Sequence, residues 1–108
     1  MALTHDFRET TMKRAKRDSK FRRGLLTDGV RLLLTGEAED LAVGKSLIRD
    51  YINATIGFQT LAEQTGKKPE SLMRMFGTNG NPRLSNFSQI LHVLQESEGI
   101  QLTVKAAK

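Results

Sequence analysis

The 108-residue chain contains no cysteine. This excludes a disulfide scaffold and a thiolate zinc site, and it fits a reducing cytoplasm. Its two histidines, His5 and His92, stand too far apart in the sequence to suggest a metal pair, and no acidic or thiol cluster supports one. Neither a metal nor a cofactor is expected. Long hydrophobic runs are missing too. The longest, Leu32 to Leu34, is far too short to span a bilayer. The N-terminus, MALTHDFRETTMKRAKRD, is polar and charged where a signal peptide has its apolar segment. A cytoplasmic protein with no membrane contact is expected. Catalytic constellations are lacking as well: no nucleophile lies in an evident pattern with a base. The loop Gly77-Thr78-Asn79-Gly80-Asn81-Pro82 has neither the glycine spacing nor the lysine of a phosphate-cradling loop, and no strand precedes it. Glu37, Glu39 and Asp40 open a helix, where negative charge is favourable near the positive end of the dipole. The chain is not expected to be an enzyme.

What the sequence has in excess is positive charge. The formal net charge is +5 and the pI is near 9.9. A basic domain of this size suits a nucleic-acid partner. Lys13, Arg14, Lys16, Arg17, Lys20, Arg22 and Arg23 crowd into the first quarter, offset in part by Asp6, Glu9 and Asp18. Glu37 to Asp50 leans acidic. Lys67, Lys68, Arg74 and Arg83 form a second basic zone.

Apolar spacing predicts a mostly α protein. Asp6 to Arg17 reads as a helix with Phe7, Thr11 and Ala15 on one side. Asp18 or Ser19 can cap a second helix that carries Phe21, Leu25, Leu26, Val30, Leu33 and Leu34 and stops near Gly36. Glu39 to Ala54 makes a third, with Leu41, Leu47, Ile48, Tyr51 and Ile52 inward, ending by Gly57. Ser85 is expected to cap a last helix running to about Ser97, with Phe87, Ile90, Leu91 and Leu94 buried. Glu98-Gly99 breaks it. Ile100, Leu102 and Val104 then alternate with polar residues, a strand pattern that would need a partner strand, here or in a second chain.

The central segment, FQTLAEQTGKKPESLMRMFG from Phe58 to Gly77, carries the functional expectation. It reads as two short helices joined at Gly66, a residue free to adopt the left-handed turn. Small Ala62, four positions earlier, lets the helices cross closely. Leu61 and Ala62 face inward from the first helix, and Leu72 and Met75 from the second; Met73 is read as a packing residue. This is the spacing of a helix-turn-helix, whose second helix enters the major groove of DNA. Lys68, Pro69, Glu70, Ser71 and Arg74 fall on its groove-facing side. Arg74 is the candidate for reading a guanine, because its fork bonds two acceptors at once. Lys67 and Arg83 are candidates for phosphates, and Asn81 in the adjoining loop joins the DNA-binding set.

The residues LAEQTGKKPESLMRMF, then GNPRLSNFSQILHVLQ and a strand pattern, resemble the Xre-like antitoxins, in particular the HigA-like addiction module antidote proteins. The likeness covers roughly Gly57 to Val104, and its most specific part is Gly80-Asn81-Pro82-Arg83. Lys67 departs from the pattern, in which an apolar residue is usual. The resemblance implies a five-helix Xre or lambda-repressor-like helix-turn-helix domain with a helical N-terminal extension and a short C-terminal β-strand. Residues 1–56 would form the extension and 57–108 the DNA-binding region, within one compact unit. It further implies a bacterial regulator, usually a homodimer, that binds operator DNA and represses its own operon. Antitoxin members also neutralise a toxin of the RelE/HigB-like ribonuclease class. The alternatives are a stand-alone regulator without a toxin, and a protein-interaction module that no longer binds DNA.

Overall fold

The computed structural model describes the backbone from Ala2 to the C-terminus and the side chains from Glu9 onward. The side chains of His5 and Phe7, discussed above, lie outside the described residues. Among the described residues six helices follow one another: α1 (Ala2–Arg17), α2 (Ser19–Leu33), α3 (Ala38–Ala54), α4 (Gly57–Thr65), α5 (Pro69–Met75) and α6 (Leu84–Glu98).

Local chemistry accounts for most of the boundaries. Asp18 leaves the helical conformation between α1 and α2, and its Oδ1 accepts the Phe21 N–H at 3.1 Å. That bond, with help from Arg14, holds the Asp18 carboxyl below its usual range. Glu39 and Asp40 occupy the first turn of α3. The helix α6 begins at Leu84, and its N-cap is Arg83, which makes no side-chain cap bond. Ser85 is therefore inside the helix rather than its cap. At the other end Gly99 is left-handed, and the Gly99 and Ile100 N–H groups return to the Gln95 carbonyl at 2.9 and 3.1 Å.

No strand forms among the described residues, so the expected C-terminal β-strand is not part of this protein. Residues 100–108 have no regular structure. The alternation of Ile100, Leu102 and Val104 reflects a different arrangement. Ile100 and Leu102 pack on the core while Val104 is exposed. A side chain substitutes for a partner strand: the Leu102 N–H donates to Gln95 Oε1 at 2.7 Å.

The core runs through five of the six helices. Leu26 of α2, Ile48, Tyr51 and Ile52 of α3, Phe58 and Leu61 of α4, Leu72 of α5, and Ile90 and Leu94 of α6 form one buried cluster, completed by Ala62 and Phe76. Phe76 lies between Phe58 and Phe87, with ring centroids 6.5 Å away on each side. The helices α2 and α3 approach backbone to backbone at Gly29 and Gly44; a Cβ on Gly44 would meet the Gly29 carbonyl at 2.7 Å. Two leucines expected inside stand outside it: Leu34 is 65% and Leu41 39% exposed.

One polar cluster ties the ends of the fold together. The Glu98 side chain, only 4% exposed, receives Arg22 Nε at 2.9 Å, Arg23 Nε at 3.1 Å and the Tyr51 hydroxyl. Burial alone would raise the Glu98 carboxyl, but the donors from Arg22, Tyr51 and Arg23 outweigh it and hold it below 4.5. Tyr51 is pushed well above the usual phenol range by burial and by the adjacent carboxylate.

Candidate nucleic-acid interface

The segment α4–turn–α5 is built as its residues dictate. Thr65 is buried and its hydroxyl donates back to the Leu61 carbonyl at 2.7 Å. Gly66 then turns left-handed, with φ 68° and ψ 27°. The Lys67 N–H closes the end of α4 on the Ala62 carbonyl at 3.0 Å. Lys68 is extended, and Pro69 occupies the first turn of α5, where the missing N–H costs no hydrogen bond. Leu61 and Leu72 are fully buried and Ala62 nearly so, so the two helices meet on the expected side.

The opposite side of α5 is open. Lys68, Glu70 and Arg74 are exposed, and Lys67, Pro69 and Ser71 are half-buried. Met73 is 51% exposed, so it belongs to this open side and not to the packing. Met75 is half-buried against the core. Asn81 and Arg83 are exposed in the loop that follows. Ser71, Arg74 and Asn81 line one shallow depression with Met75 and Gly80, which brings a residue of the distal loop to the face of α5. Lys67, Lys68 and Arg83 lie outside that depression. Among the described residues, Lys67, Lys68, Arg74 and Arg83 make no ion pair, so their charge is available to a ligand.

The loop is held from α3 by two residues that sequence reasoning passed over. Lys45 is 7% exposed, and its Nζ donates to the carbonyls of Gly77 at 3.1 Å and Gly80 at 2.7 Å. One turn later, Arg49 donates to the Phe76 carbonyl at 3.3 Å. Their i,i+4 spacing puts both cations on one side of α3, but that spacing is equally common on solvated faces. Gly80 completes the arrangement: a Cβ there would stand 1.7 Å from the Arg74 carbonyl oxygen. The loop backbone thus lies directly against the end of α5.

His92, at a helix flank, is exposed beside Glu96 at 3.1 Å. No helix among the described residues is long and apolar enough to cross a membrane. Compared with protein-family models, curated proteins and solved structures, the chain matches none.

Proposed function

We propose that the protein is a sequence-specific DNA-binding regulator of the cytoplasm that presents α5 to the major groove. The observation that carries this reading is the open face of α5. It displays Lys68, Ser71 and Arg74 with unpaired cations, beside a loop that Lys45 and Arg49 hold in place. A recognition element needs a rigid backbone under adaptable polar side chains, and this loop and helix meet that requirement. Arg74 would read a guanine, with Lys67 and Arg83 on phosphates. Two copies bound as a homodimer would place two α5 helices about one turn of DNA apart. The further step, an antitoxin paired with a RelE/HigB-like toxin, is supported by the resemblance of residues 57–104.

The test is a titration of the full chain with duplexes from the DNA upstream of its own coding sequence. Saturable binding with two protomers per site is expected, tighter than to unrelated duplex. Binding to no fragment even at low salt ends the DNA reading and leaves a protein-interaction module. Co-purification with the product of the adjacent gene tests the toxin step; a neighbour that neither binds nor is toxic leaves a stand-alone regulator.

A further inference from the structure

The net charge of the protein sits away from α5. Residues 9–23 hold seven basic and two acidic side chains, while residues 24–108 hold nine of each, and Asp6 and Arg8 cancel. The whole +5 therefore belongs to the end of α1 and the start of α2. Lys13, Lys16 and Arg17 recur at i, i+3 and i+4 on α1, and Ala15, fully buried, anchors the other side of that helix. Lys20 and Arg23 are likewise spaced on α2. All five are exposed. Arg14 is paired with Asp18 and lies over the Phe21 ring at 4.3 Å, and Arg22 and Arg23 share Glu98. Lys13, Lys16, Arg17 and Lys20 have no ionic partner among the described residues.

The surroundings of this ridge indicate its ligand. A protein interface needs an apolar centre, and a membrane-surface helix needs exposed apolar side chains opposite its cations. Among the described side chains, the exposed large hydrophobic residues are Leu34, Leu41, Val43, Met73, Leu84 and Val104, none of them on this ridge. A row of free cations without apolar company suits a polyphosphate backbone. Lys16, Arg22 and Arg23 also border a depression with Thr55 and Ile56, the corner from which α4 departs. Along α3, Thr55 is ten residues from Lys45, which holds the α5 loop; that is about 15 Å at 1.5 Å per residue, under half a turn of duplex.

We infer that the α1–α2 ridge is a second DNA-contacting surface, on which Lys13, Lys16, Arg17 and Lys20 bind backbone phosphates without regard to sequence while α5 selects the site. The inference rests on the DNA-binding reading above. The ridge supplies most of the electrostatic affinity.

The experiment compares the full chain with two double variants of equal charge, Lys16→Gln/Lys20→Gln and Lys105→Gln/Lys108→Gln. Each is titrated with upstream and unrelated duplexes of one length across a salt series. Glutamine is a good helix former, so the ridge variant should keep its helicity, which circular dichroism checks. The expected result is a slope of log affinity against log salt flatter by about four for the ridge variant on both duplexes, since each neutralised phosphate adds about 0.9 to the slope and each of the two protomers loses two lysines. The preference for the upstream duplex and the slope of the tail variant should stay as in the parent. A ridge variant with the parental slope, or a tail variant that flattens as much, overturns the inference and leaves the α5 reading standing. A parent that binds unrelated duplex equally well, with a slope the ridge variant flattens, keeps the ridge and removes sequence reading by α5. A parent that binds neither duplex removes both.

Discussion

Arg74 and Leu72 stand two positions apart on α5 and face opposite ways, which makes them a matched pair for substitution. Leu72 is fully buried in the cluster shared by α3, α4 and α6. Leu72→Ala should lower unfolding stability by about 2–5 kcal/mol through the cavity it leaves. Arg74→Ala removes an exposed side chain with no ion pair, and its stability should stay within about 0.5 kcal/mol of the parent. On DNA the order should reverse. Arg74→Ala should cost about 1–3 kcal/mol and relax preference at one base pair if the guanidinium reads a guanine. Denaturant melts and a panel of single-base operator variants separate the two effects. An Arg74→Ala protein that binds as tightly as the parent would rule out this placement of the recognition helix. The residues flanking Arg74 were legible from spacing because they lie within two helical turns. Asn81 is expected in the DNA-binding set from its place in the adjoining loop, and only the fold shows why it reaches the same depression: Lys45 draws the loop back. A lysine in an amphipathic helix reads as a solvent residue, so nothing in its neighbours marks Lys45 as buried.

At the scale of elements, helix ends were legible where one residue decides them. Asp18 supplies a side-chain oxygen, and Gly66 and Gly99 supply left-handed turns. The C-terminal segment was not, because period-two alternation reports which side chains face an apolar surface and says nothing about what pairs the backbone. The clasp at Glu98 was equally hidden, since its partners on α2 and α3 are 76 and 47 residues away. It carries a pH dependence. A carboxyl held below 4.5 in the fold stabilises the protein above its unfolded value, and that contribution is lost as pH falls through the folded value. Tyr51 acts at the other limit: a hydroxyl held above 10.0 contributes stability that is lost on alkalinisation beyond that value. Glu98→Gln should lower stability at neutral pH by about 1.5–3 kcal/mol, the scale of hydrogen bonds to a charged group. It should also flatten the acid limb, as read by urea melts across the acid range. An acid limb as steep as the parent's would assign the loss to other carboxylates.

For the molecule as a whole, the core decides what can stand alone. The segment carrying the family resemblance, residues 57–104, buries Phe58, Leu61, Leu72, Ile90 and Leu94 against Leu26, Ile48, Tyr51 and Ile52 from the first half. A fragment of residues 57–108 would expose that surface and be without the hydrogen bonds from Lys45 and Arg49. It should show no cooperative thermal transition by circular dichroism, whereas the full chain should melt in one step. A sigmoidal melt of the fragment would show that the second half folds unaided. The mostly α character of the chain was legible because five of six helices contribute apolar stripes to a common centre. The close crossing of α2 and α3 was not, since Gly29 and Gly44 contribute nothing to a hydropathy pattern.

Gly80 has a consequence at the level of the gene. Glycine at Gly66 answers a left-handed backbone, which another residue can adopt at a cost of about 1–2 kcal/mol. Gly80 answers a space 1.7 Å from a carbonyl oxygen, which no side chain can occupy with the loop where it lies. At that codon the third base is free to drift, while any change in the first two bases moves the loop off the end of α5.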